Sequence, residues 1–223
     1  TPSSRPLKRV PRILGIIVVV LALVFLAWGL VITKEKRAVN SATAQAQVLL
    51  DERKFAEAQT VLQEQIVNYP DALPLYLSLA NTYLAEGSFV LTKDRVGAIK
   101  KASETLLLAR EKGGRDDARF HDLVGLGYYI AGNYTEALEH YQKSLIIDPN
   151  NAHAMLGAGN SLEMKGDLQY AYKFYQKAEG ILNPSSKPSS KPDNLLANTY
   201  LNLGKMAMIM DNDAAKAMGY FNA

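Results

Sequence analysis

Apolar and polar positions follow three regimes along this chain. From Ile13 to Ile32 the sequence ILGIIVVVLALVFLAWGLVI is apolar without a single charge. From about residue 39 onward, apolar residues recur three and four apart, the spacing of one face of an α-helix. These periodic segments are punctuated by Gly, Asn, Asp and Pro. In residues 185–193, SSKPSSKPD, the apolar positions vanish. The pattern predicts helices alone, joined by short turns.

The clearest segment is Ala118 to Asn151, which reads as two amphipathic helices and a tight turn. Its pattern returns in the next unit. Gly132 is followed by Gly166, Ala137 by Ala171 and Tyr141 by Tyr175, each at a step of 34 residues. A fixed period of this length marks a helical repeat array. The key residues have physical jobs. Gly125 and Ala137 are small enough for paired helices to approach closely, with Tyr128 and Tyr141 filling the space beside them. Gly132 suits the positive φ that ends a helix. Pro149 stops the second helix.

On Gly125, Tyr128, Gly132-Asn133-Tyr134, Ala137, Tyr141 and Asp148-Pro149-Asn150-Asn151, the unit resembles a tetratricopeptide repeat (TPR). The resemblance implies an all-α fold, a TPR-type helical-hairpin solenoid coiled into a right-handed superhelix, here preceded by one N-terminal transmembrane helix. The expected divisions are a basic tail at 1–12, a transmembrane helix at 13–32, a juxtamembrane stalk at 33–38 and a repeat domain at 39–223. Within the domain the repeats fall at about 39–72, 73–117, 118–151, 152–185 and, in part, 194–223, with the Ser/Lys/Pro loop at 185–193.

Three units depart from the regular pattern. The first has few large apolar residues before Val48. In the second, Leu79, Tyr83 and Gly87 precede Val124, Tyr128 and Gly132 by 45 residues, which is 11 more than the period. The surplus fits between Phe89 and Ala102, as a loop on a binding side or as a longer solvated helix, and Gly87 is expected at the turn. The fifth unit, with Leu203-Gly204, Asp211-Asn212-Asp213, Ala217 and Phe221, has a turn one residue longer than usual. The missing initiator Met and polar cap suggest a piece of a longer protein, or a partner covering the end.

The apolar run of 20 residues spans roughly 30 Å as a helix, the thickness of a bilayer core. It exceeds the apolar core of a cleaved signal, and Val31-Ile32-Thr33-Lys34 gives no small-residue cleavage site. Four basic residues precede it (Arg5, Lys8, Arg9, Arg12) and three follow closely (Lys34, Lys36, Arg37). The positive-inside rule then sets the N-terminus in the cytoplasm of a single-pass inner- or plasma-membrane protein. The repeats would be periplasmic or otherwise extracytoplasmic; the margin is one residue, and the cytoplasmic alternative stays open. No Gly or Pro occurs between Gly29 and Pro70. The membrane helix is therefore expected to run into the first repeat with at most a short break near Thr33 or Asn40.

Charge narrows the partners. The chain has 25 basic and 22 acidic residues. Removing the four in the tail leaves 21 basic against 22 acidic, so the repeat domain is near neutral and ill suited to a nucleic-acid backbone. There is no Cys, hence no thiolate metal site or cysteine nucleophile. His121, His140 and His153 form no metal-ligand spacing. Gly125-Leu-Gly127 and Gly157-Ala-Gly159 lack the strand and third glycine of a nucleotide loop. No catalytic set can be assembled, and neither an enzyme, a cofactor nor a small-molecule substrate is expected.

What the resemblance implies instead is a concave groove lined by the first helix of each unit. In register, the groove residues are Leu77, Asn81 and Leu84 from the second unit, Asp122, Leu126 and Tyr129 from the third, and Leu156, Asn160 and Glu163 from the fourth. Such a surface takes peptides, helices or complex subunits. The competing reading packs these side chains between neighbouring helices. Leu77 and Leu156 stand where a carboxylate-clamp lysine would be, so that binding mode is not implied. Two functions follow: a membrane-anchored scaffold that binds partner proteins for assembly, secretion or maturation of a larger complex, or an obligate structural subunit of a large membrane-associated or filamentous assembly. The partners would be other proteins, with the bilayer contacting residues 13–32.

Overall fold

The structure is a computed structural model that describes residues 10–89, 93–183 and 194–222. Ten α-helices occur among them: α1 (Val10–Asp51), α2 (Phe55–Asn68), α3 (Leu73–Phe89), α4 (Lys93–Glu111), α5 (Ala118–Ile130), α6 (Tyr134–Ile147), α7 (Ala152–Met164), α8 (Leu168–Leu182), α9 (Asn194–Met206) and α10 (Ala214–Phe221). Each pair is an antiparallel hairpin, and each hairpin stacks on the next, with α3, α5, α7 and α9 in contact in sequence. The chain is a TPR-type helical solenoid.

α1 does two things. From Ile16 to Lys34 every side chain is exposed, and this apolar stretch is long enough to cross a bilayer. From Val39 onward the same helix becomes the first half of the first repeat, burying Val39, Ala42 and Ala46 against Ala58 and Leu62. The break anticipated near Thr33 or Asn40 does not occur. The Thr33 hydroxyl donates to the Leu30 carbonyl (2.9 Å) and Thr43 to that of Asn40 (3.1 Å). Both hydroxyls back-bond to a helix carbonyl, yet α1 runs through them unbroken from Val10 to Asp51.

The turns repeat one hydrogen bond. Lys54 N–H reaches the Leu49 carbonyl (2.8 Å), Asn133 that of Tyr128 (2.9 Å) and Asp167 that of Leu162 (2.9 Å). Each spans five residues and passes through a left-handed residue, Arg53, Gly132 or Gly166. This is the Schellman closure of a helix end. In the fifth unit the bond runs from Asp213 to Ala207 (3.2 Å), six residues, through left-handed Asn212. The extra turn residue is absorbed as a π-helical turn at Ala207–Asp211.

The second unit corrects one expectation and decides between two alternatives. Gly87 is not a turn residue. It lies inside α3, buried, with its α-carbon face against Ala98. The helix runs on to Phe89, whose ring stacks near Phe55 (5.8 Å) and receives the Arg53 guanidinium (4.5 Å). The inserted residues therefore lengthen helices: α3 has 17 residues and α4 19, against 13 and 14 in the third unit. The tail up to residue 9 and the Ser/Lys/Pro loop lie outside the described residues.

Candidate functional site

Small residues on the first helix of a hairpin make room for a ring on the second. A Cβ on Gly125 would lie 3.0 Å from the Tyr141 ring, and one on Gly159 would overlap that of Tyr175. Tyr141 also covers Gly157 of the next unit, tying the third hairpin to the fourth. Tyr128, expected beside Gly125, instead sits on the outer face. It is half-exposed and stacks on His140 (5.6 Å, 27°).

With hairpins so joined, α3, α5, α7 and α9 enclose a groove of 720 Å³ on the inner side. Eight of the nine sequence-derived residues line it: Leu77, Asn81, Asp122, Leu126, Tyr129, Leu156, Asn160 and Glu163. Leu84 does not. It is 1% exposed and belongs to the core around Leu79 and Tyr83. Leu77, Asn81 and Leu84 keep the spacing of Asp122, Leu126 and Tyr129, but α5 packs over Leu84 at Gly127 and takes it into the core.

The eight differ in what they offer. Leu77 and Leu156 are 3% and 5% exposed, so they form the floor and pack between helices. Leu126 and Tyr129 are half-buried. Asn160 and Glu163 are committed to a network. The Tyr175 hydroxyl lies 2.8 Å from Glu163 Oε2 and 2.9 Å from Asn160 Oδ1. A phenol has one proton, and the carboxylate is the stronger acceptor. Lys205 closes an ion pair with Glu163 (2.7 Å), and Asn202 donates to Asn160 Oδ1 (3.1 Å). This network joins α7, α8 and α9. Burial, reinforced by Glu163, raises the Tyr175 pKa and keeps its proton in place.

Asp122 is the unusual acid. Burial pushes its carboxyl up to about 7, against an opposing hydrogen bond with Asn151. Asn151 is itself fixed, accepting from Ala154 N–H as the N-cap of α7 and donating to Ser144. By contrast the amide of Asn81 on α3 and that of Asn198 on α9 have no hydrogen-bond partner among the described residues.

Register alone would have found more of the wall. Gly204 stands 45 residues after Gly159, which carries Leu156 and Asn160 onto Leu201 and Lys205. Both line the groove, as do Asn198 and Asn202. Tertiary packing also assembles what spacing hid: His121 and His140, 19 residues apart, meet with their Nδ1 atoms at 3.3 Å. Among the described residues no group of three or more His, Cys, Asp or Glu could hold a metal ion.

A hairpin array with an inner groove is a TPR-type solenoid, and the comparisons agree on that fold. Residues 125–166 match the TPR repeat family model. A stretch of 95 residues is 33% identical to the BBSome complex member BBS4 of Bos taurus, covering 43% of this chain and 18% of that one. The chain thus spans less than a fifth of that curated relative. Among solved structures, the APC/C hetero-tetramer Cut9–Hcn1 superposes with a TM-score of 0.65 at 19% identity, over 82% of this chain and 33% of the other. TTC0263, a thermophilic TPR protein of Thermus thermophilus, gives 0.63 at 18% identity over 77% and 82%. These structural likenesses concern the fold. TPR proteins in general mediate protein–protein interaction and complex assembly.

Proposed function

We propose that this chain is a membrane-anchored scaffold whose inner groove binds a segment of a partner protein and holds it at a fixed place relative to the bilayer. The anchor is residues 13–32, with the N-terminus in the cytoplasm and the repeats beyond the membrane, in the periplasm if the cell is Gram-negative. The observation that carries the reading is the pair of unpartnered amides, Asn81 and Asn198, on opposite walls of a groove whose middle exposes Leu126 and Tyr129. An amide can donate to and accept from a peptide backbone, while the apolar middle takes a side chain. The bound partner would be one component of a larger complex under assembly, secretion or maturation.

The test is site-specific photocrosslinking in native membranes. Probes at Asn81, Leu126 and Asn198 should capture one common protein, a probe at outward-facing Lys143 should not, and Leu126→Glu should abolish capture. Equal capture from both faces would refute the groove.

A second reading, a permanent subunit, is favoured by the apolar side chains left exposed on the last unit: Met208, Ile209, Met218 and Phe221. A complex of fixed stoichiometry that survives detergent extraction and size analysis would support it over the adaptor.

A further inference from the structure

Another cavity lies on the opposite side from the groove, where α4 meets α5 and α6. Its origin is in the sequence. Tyr141 and Tyr175 each fill their hairpin with a ring; the equivalent position in the second unit, four residues after Ala102, is Leu106. Leu106 lines the cavity at that point. The long α4 and the Gly113-Gly114 turn that follows also set α4 against α5 over a smaller contact than α2 makes with α3 or α6 with α7. Arg95, donating to the Ile130 carbonyl (2.8 Å), pins α4 to the far end of α5 and holds the gap open.

The result is a cavity of 520 Å³, within the range of small-ligand sites. Leu84, Ile99, Leu106, Phe120 and Val124 supply apolar walls, and Gly127 contributes no side chain. The polar rim has one sign: Arg110 and Arg115 reach it, and no Asp or Glu lines it among the described residues. Neither guanidinium has a carboxylate partner among those residues. That is unusual in a domain whose charges nearly balance, because an arginine beside an apolar pocket offers a ready fork for a planar anion.

The histidine pair forms the adjoining wall. The Arg115 carbonyl can only accept, so His121 Nε2 (3.0 Å) carries the hydrogen. The Nδ1 atoms of His121 and His140 face each other at 3.3 Å, one donating to the other. Tyr128 stacks on His140 and closes that side. The wall is thus an aromatic surface next to the two cations.

We propose that this cavity is a binding site for a small amphipathic organic anion, a carboxylate on an aromatic or short acyl body, with the apolar body against Phe120 and Leu106 and the carboxylate at Arg110 and Arg115. The site is independent of the groove and of the membrane anchor.

The experiment uses the full chain in lipid nanodiscs and 4-(trifluoromethyl)benzoate as probe, read by ¹⁹F NMR against empty nanodiscs. The wild-type chain should shift or broaden the probe signal saturably. Arg110→Gln with Arg115→Gln should weaken binding at least tenfold. Gly127→Leu should abolish it; a Cβ there meets only Leu84 at 3.7 Å, so the larger side chain enters the cavity in a helix that tolerates it. Asn81→Ala, in the groove, should leave binding unchanged. A signal identical to that of empty discs, or binding that survives Gly127→Leu or the double arginine variant, would overturn the proposal. So would loss of binding in Asn81→Ala.

Discussion

Gly204 and Phe221 lie seventeen residues apart in sequence, yet the ring closes over the glycine as Tyr141 closes over Gly125 and Tyr175 over Gly159, pairs separated by sixteen. The π-helical turn takes up the difference. The three contacts are not equal in strength. Tyr175 is fully buried and hydrogen-bonded, whereas Phe221 is 52% exposed and can swing outward. A methyl group forced under an immobile ring costs about 1–3 kcal/mol. Gly159→Ala should therefore destabilise by that amount and Gly204→Ala by less than about 1 kcal/mol, as measured by urea unfolding of the full chain in detergent.

Tyr175→Phe isolates the network behind the groove wall. It removes one hydroxyl and leaves Glu163 with Lys205 alone. The expected loss is about 1–2 kcal/mol. In a double-mutant cycle with Glu163→Gln the two changes should be non-additive, because they share one hydrogen bond; strict additivity would contradict the contact.

Asp122 gives the domain a pH signature. Its folded-state pKa of about 7 lies above the ordinary carboxyl value. Between about pH 4 and pH 7 the folded state therefore holds more protons than the unfolded one, and this group's contribution to stability declines as pH rises. Asp122→Asn removes the penalty. The variant should melt higher than wild type at pH 8, by on the order of 1–4 kcal/mol, and the advantage should shrink to nothing by pH 4. An advantage independent of pH would mean that Asp122 is not desolvated.

The natural absence of Cys makes the proposed topology directly measurable. In intact cells a membrane-impermeant maleimide should label Lys143→Cys and spare Ser3→Cys. The inverse labelling would place the repeats in the cytoplasm.

The repeat architecture was legible because its determinants are local. Gly132 and Gly166 mark left-handed turns that the chain adopts, and eight of the nine residues placed by register line the inner cavity. Register failed where helix length changed. Counting back from Gly132 put Gly87 at a turn, but Phe89 and its contacts with Arg53 and Phe55 extend α3 past it. Leu84 keeps its place on the helix and is lost to the groove because α5 covers it at Gly127. The His121–His140 contact and the Glu163–Tyr175–Asn160 network join residues on different helices, and no spacing rule reports them.

The unbroken α1 has a consequence of direction. If residues 13–32 span a membrane, the segment 33–38 works as a compass bearing. Each residue added there would turn the whole array by about 100° about the helix axis and raise it by about 1.5 Å. Where the groove points around the anchor is then a property of stalk length, and a one-residue change would aim the same binding surface at a different neighbour.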